Sequence, residues 1–177
     1  MRIRSDSVIA HPVDRVFEAY LEHLPEAAMQ VAGVKEVKVE SREEDGGVVR
    51  IHNVWVGEGG IPAFAQRIVS SGQVSWDDYA VWHRRERRCE WNIKPRAFRE
   101  AVRCVGTTRF LAHESGGTRV IIAGDLDIDM TKVRGVPDVV GQTLAPQIEK
   151  FIVSRVTPNL ERNNEAISSY LDGRVGR

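Results

Sequence analysis

The sequence predicts an α+β fold, a curved antiparallel β-sheet against a long C-terminal α-helix, with one or two short helices after the first strand. Three observations carry this reading. From about Pro137 to Leu171, apolar residues recur at steps of three and four, the spacing of one face of a helix. Between Val34 and Met130 the hydrophobic period falls to two in several stretches. Short turns, several rich in glycine, separate those stretches and favour antiparallel pairing.

The C-terminal stripe consists of Ile148, Phe151, Ile152, Val156, Leu160, Ile167, Tyr170 and Leu171. Lys150, Ser154, Glu161, Glu165, Ser168 and Asp172 take the opposite, solvated side. A helix of this length spans roughly 52 Å at about 1.5 Å per residue, so it needs a broad surface to lie on. Pro146 suits a first turn, where its missing N–H costs nothing, and divides a leading segment (137–145) from the main helix. Pro158 removes the bond to the Ser154 carbonyl, predicting either a kink or a break with Thr157 as a new N-cap. Asn163 and Asn164 interrupt the stripe, and Asn163 lies nearer its centre. A buried amide must be hydrogen-bonded, either to a neighbouring strand or water, or to a ligand in a cavity lined by this face.

The remaining elements follow in order. Residues 2–10 alternate weakly and read as a first strand, ended by His11 and Pro12. Val13, Val16, Phe17, Tyr20, Leu21 and Leu24 mark an amphipathic helix that Pro25 terminates, with a second short helix expected over 26–31 before Gly33. Residues 34–40 and 48–56 form a hairpin around the turn 43–47, and 57–62 reads as a loop. Further strands are expected over 64–70, 74–82, 89–93, 101–112 and 118–130. Gly106 inside one of them signals a bulge or bend.

With 177 residues the chain reads as one domain over 1–177. A hydrophobic fraction of 42% and a charged fraction of 28% suit a soluble globular chain. Basic and acidic residues balance at 25 each, so no net field draws nucleic acid or an anionic membrane. The basic run from His83 to Arg88 reads as a solvated hairpin turn between strands. Cys89 and Cys104, both inside strands, fit free thiols in a reducing cytoplasm. No signal-peptide pattern and no membrane-length apolar run is visible, so a cytoplasmic location without membrane insertion is expected. The oligomeric state leaves no signature.

The order of elements resembles the helix-grip fold of the START/Bet v 1-like (SRPBCC) superfamily. The resemblance rests on the run from Ser7 to Phe17, a strand ending Ala10-His11-Pro12 and a helix opening with Val13, Val16 and Phe17. It rests also on Gly116-Gly117-Thr118-Arg119-Val120 before the last strand, and on the closing helix. It implies a cavity between sheet and C-terminal helix for an apolar molecule such as a lipid, polyketide, quinone or steroid-like compound. Members include carriers, cyclases, dehydratases and regulatory partners, without a shared catalytic set to map here.

Trp55, Trp76, Trp82 and Trp91 fall in strands, where large rings with one N–H either line a pocket or fill a core. Together with Ile152, Val156, Leu160, Asn163, Asn164 and Ile167 they form the expected cavity wall. Asp78 shares parity with Trp76 and Trp82; if that face is the cavity, it is a buried acid with a raised pKa. His52 is the second acid–base candidate, although a lone strand histidine is more often simply hydrogen-bonded or exposed. Asp125, Asp127 and Asp129 share one strand face, which alternation explains as solvated without any metal. No zinc spacing, phosphate loop or dinucleotide fingerprint occurs, so no metal or cofactor is expected. The reading is a binder of a hydrophobic small molecule. The alternatives are a cyclase or dehydratase using Asp78 or His52, and a protein-interaction module without ligand.

Overall fold

The structure, a computed structural model, describes residues 1–29, 33–60, 73–97, 99–132 and 138–175. Strand β1 (Arg2–Ile9) leads into helix α1 (Val13–Ala28). Then come β2 (Val34–Asp45), β3 (Val48–Gly60), β4 (Gln73–His83), β5 (Arg88–Pro95), β6 (Val102–Ala112) and β7 (Thr118–Ile128). A 3₁₀ turn (Met130–Lys132) precedes the closing helix α2 (Asp138–Val175). The seven strands form one antiparallel sheet in the order β1-β7-β6-β5-β4-β3-β2. The layout is the helix-grip α+β arrangement. The expected strand over 64–70 lies outside the described residues.

Strand alternation decides which side chains meet the helices. Val49, Ile51, Trp82, Trp91, Phe110, Val120 and Ile122 from the sheet pack with Val16, Phe17, Tyr20 and Leu21 of α1 and Ile167, Tyr170 and Leu171 of α2. Phe17 meets Trp82 and Phe110 edge-on, at centroid distances of 5.7 and 5.5 Å. The edge strand β2 exposes nearly its whole length and carries charges along it, which discourages pairing with another chain.

Several expectations need correction. Helix α1 does not stop before Pro25 but runs through it to Ala28, without a separate second helix in the described residues. Pro25 deletes one backbone bond, and the extra turn buries Ala27 and Ala28, each 1% exposed. The β2–β3 turn shrinks to Gly46–Gly47, whose φ values of 58° and 88° meet the two-residue type I′ requirement. Gly57–Gly60 extends β3 instead of forming a loop, and Gly57 pairs with Val34. Gly106 sits in unbroken register between Trp91 and Gly124, so it marks no bulge. It is glycine because the Trp91 ring lies where a side chain would stand, over both Gly106 and Gly124. Helix α2 is continuous across Pro146 and Pro158, so neither proline breaks it. Each removes a single bond from a 38-residue ladder. Residues 129–130 leave the last strand, and Asp129 caps Thr131.

Polar contacts hold the helices to the sheet at defined points. The buried Tyr20 hydroxyl donates to Asn164 Oδ1, and Asn164 Nδ2 donates to Ser7 Oγ at 2.7 Å. One amide thus joins α1, α2 and β1. His11 Nε2 contacts Asp172 Oδ1 at 2.7 Å near the end of α2. Along the outer side of α1, Arg84 bonds Glu18, Glu22 and Glu44, Arg42 bonds Glu22, and Arg87 bonds Asp14.

Gly106→Ala should push a methyl into the Trp91 ring and cost about 1–3 kcal/mol in urea denaturation; an unchanged midpoint would mean the ring has room to yield. Asn164→Leu should cost a similar ~1–3 kcal/mol, because the buried Tyr20 hydroxyl loses its acceptor. Adding Tyr20→Phe should recover part of that loss, which a double-mutant cycle measures directly.

Candidate functional site

The inner face of β3 reads Val49, Ile51, Asn53, Trp55, and that of β4 reads Trp76, Asp78, Ala80, Trp82. Register places Asn53 opposite Asp78 and Trp55 opposite Trp76. Ile93 of β5 faces Asp78 from the other side. An acid and an amide therefore sit side by side within an aromatic and aliphatic wall.

Asp78 as a residue is only partly buried, yet its Oδ1 is sealed from solvent and has no hydrogen-bond partner. Asn53 Oδ1 and Trp55 Nε1 are sealed as well and make no hydrogen bond of ordinary geometry, although both side chains lie close enough to act on Asp78. Burial drives the Asp78 pKa upward to about 6, outweighing Asn53, Trp55 and the more distant His52, which favour the ionised form. Trp55 stacks on Trp76 with centroids 5.9 Å apart, and both pack with Ala28 and Val34. Burial, with the Asp78 charge nearby, also pushes the Cys104 thiol up to about 12 and raises Cys89. Both thiols stay protonated and unreactive near neutral pH.

The other expected site residues divide. Trp82 is wedged against Phe17 and Phe110, and the Trp91 Nε1–H donates to Thr108 Oγ1 at 3.2 Å, so both rings fill core. Ile167 is fully buried. Asn164, not Asn163, is the buried amide: Asn164 is 6% exposed, while Asn163 is partly exposed. Its partners are the protein's own Tyr20 and Ser7. The side chains of Ile152, Val156 and Leu160 lie outside the described residues. Asp125 and Asp127 are exposed, and Asp127 pairs with Arg103 at 3.0 Å.

His52, the second acid–base candidate, lies on the opposite face of the sheet from Asp78. It stacks on Tyr79 at 4.3 Å and meets Asp77 at 2.9 Å on the outer side of the sheet. One position separates His52 from Asn53, and in a strand that reverses the side. Asn53 was legible in principle, as the single amide in the inward series Val49, Ile51, Asn53, Trp55. A separate groove of about 370 Å³ runs between β1 and α2, lined by residues including Ser5, Ser7, Ile9, Asn164 and Ser168. Neither Asp78 nor any tryptophan lines it.

Asp78 gives a pH signature. Its pKa is higher folded than unfolded, so the native state holds the proton longer, and stability falls as pH rises from about 4 to about 6. Asp78→Asn should remove that fall, amounting to at most about 3 kcal/mol, when urea midpoints are compared across that range. Parallel profiles for the two proteins would show that the carboxyl is not the titrating group.

No protein-family model matches the chain, and no curated protein matches it in sequence. Solved structures do match. TTHA0849 from Thermus thermophilus is 19% identical, with a TM-score of 0.63 over 96% of this chain and 99% of that one. The Zhui aromatase/cyclase from Streptomyces sp. R1128 is 16% identical, with a TM-score of 0.69 over 99% and 95%. Ara h 8.0201 is 11% identical, with a TM-score of 0.59 over 98% of each chain. At these identities the likeness is one of fold, and it covers nearly the entire chain: this protein has the helix-grip fold that these structures share.

Proposed function

We propose that the chain binds an apolar small molecule on the inner face of the sheet, beneath α2, with Asp78, Asn53 and Trp55 as its polar contacts. One observation carries this reading: three neighbouring polar atoms, Asp78 Oδ1, Asn53 Oδ1 and Trp55 Nε1, are sealed from water and make no hydrogen bond of ordinary geometry, the pull of the Asn53 and Trp55 side chains on Asp78 falling short of offsetting its burial. Buried polar groups are satisfied as a rule, and a ligand hydroxyl or carbonyl would satisfy these. Small-molecule sites are built this way, mostly apolar with a few placed polar groups. The stacked Trp55 and Trp76 supply aromatic wall. Spacing in the sequence assigns Ile152, Val156 and Leu160 to the same wall. The fold shared with an aromatase/cyclase supports a ligand-bearing interior.

A second reading rests on Asp78 alone. Near pH 6 a carboxyl in this largely apolar setting is about half protonated and can hand its proton to a bound carbonyl oxygen, the role a cyclase or dehydratase needs. His52 takes no part, since it faces the other side. Under this reading Asp78→Asn keeps ligand affinity and abolishes conversion.

The test is native mass spectrometry of the purified chain against its denatured mass, followed by titration with the apolar fluorophore anilinonaphthalene sulfonate. A co-purifying molecule, or saturable probe binding weakened about tenfold by Trp55→Phe, supports the site. A clean apo mass together with probe binding indifferent to both Trp55→Phe and Asp78→Asn would sink it.

A further inference from the structure

On the outer face of the sheet, alternation brings a second constellation together, directly behind the inner site. Asp77 is 3% exposed although it points away from the core. It is covered by its own partners. His52 Nε2 lies 2.9 Å from Oδ1, Arg96 donates from Nη2 at 3.1 Å and from Nε at 3.4 Å, and Arg99 Nη1 approaches Oδ2 at 3.6 Å. Burial pushes the Asp77 carboxyl upward, but Arg96, His52 and Arg99 more than offset it and hold its pKa below the usual range. Arg99 also donates to the Tyr79 hydroxyl at 3.4 Å, and Lys94 sits over the Tyr79 ring at 5.4 Å.

The stoichiometry sets this cluster apart. In the other described arginine ion pairs no carboxylate is shared by two guanidinium groups unless further acids join them, although Asp127 also meets the N-terminal ammonium besides Arg103. Arg42 and Arg84 draw on Glu18, Glu22 and Glu44, Arg88 on Glu86 and Glu90, and Arg87, Arg103 and Arg119 on one acid each. Here two arginines and a histidine share one carboxylate, with Lys94 opposite Asp77 in register. Among the described residues, the acids nearby are Glu40, which acts on Arg96 and is itself bonded to Lys38, and Glu100, next to Arg99 in sequence. Lys38, Lys94, Arg96 and Arg99 still outnumber Glu40, Asp77 and Glu100, and His52 adds charge when protonated.

We infer that the Arg96–Arg99–Lys94 cluster is a binding site for a small phosphoryl or similarly shaped oxyanion, with Asp77 acting as the fixed post that aims the guanidinium groups. Arg96 and Arg99 side chains are 47% and 52% exposed, so donors not turned to Asp77 reach solvent. A guanidinium presents its N–H groups as a planar fork that matches two oxygens of a phosphate. Holding two such forks on a buried carboxylate removes much of the entropy cost that flexible arginines otherwise meet on binding. A membrane surface is a poorer match, because the chain is neutral overall and the excess charge is confined to one spot. The site is independent of the inner face, so it stands whether or not that face binds a ligand.

The test titrates the full chain with inorganic phosphate at constant ionic strength, following the arginine Nε–Hε NMR resonances. Saturable shifts of Arg96 and Arg99, not reproduced by chloride, are expected. Arg99→Ala should weaken binding by about tenfold, Arg99→Lys by less, and Arg103→Ala, outside the cluster, not at all. Shifts that are linear in phosphate, equal with chloride, or unaltered in both Arg96→Ala and Arg99→Ala overturn the assignment. Circular dichroism of each variant separates lost binding from lost fold.

Discussion

The pleat of strand β4 is the constraint on which both candidate sites depend. Asp77 and Asp78 are adjacent, and a β-strand sends adjacent side chains to opposite faces. Asp78 enters the apolar interior, where burial keeps its proton until about pH 6. Asp77 emerges on the other side, where cations gather over it and hold it ionised. Two chemically identical residues, one position apart, end with opposite protonation tendencies because of the faces they occupy. A slip of one residue in the β3–β4 register would exchange them and expose Trp76 and Trp82. The bulk of those rings, fitted into the inner face, therefore holds the charges in place too.

The helices complete the inner face, and a polar junction rather than apolar packing alone sets where they meet. Asn164 accepts from Tyr20 and donates to Ser7, so one amide reports on α1, α2 and β1 at once. Greasy contacts are permissive about small rotations, whereas a sealed hydroxyl with a single acceptor is not. The same logic separates this amide from Asn53. Asn164 has its partners and is structural, while Asn53 Oδ1 is sealed without a hydrogen bond of ordinary geometry.

Glycine plays a corresponding role beneath Trp91. The ring lies over Gly106 on the adjacent strand β6 and Gly124 on β7 beyond it, and its N–H reaches Thr108. Large aromatic surface is thereby buried against bare backbone, which thickens the core without pushing the strands apart. A glycine in a strand is usually read as a flaw in the ladder. Here the ladder is intact, and the missing side chain is space for a ring.

Local chemistry in the sequence was enough for the α+β class, most strand positions, the tight turns, the closing helix and the face that Asp78 shares with Trp76 and Trp82. Period, turn residues and parity depend only on neighbours along the chain, which is why they are legible there. Tertiary packing decided the rest. The path of α1 through Pro25, the continuity of α2 across Pro158 and the regular register at Gly106 each follow from surfaces supplied by distant segments. The choice of Asn164 over Asn163, and the placing of His52 behind the sheet with Asp77 and the arginines of the β5–β6 connection, required knowing which face each strand turns inward. Parity along a strand tells which residues share a side. Only the fold tells which side is the inside.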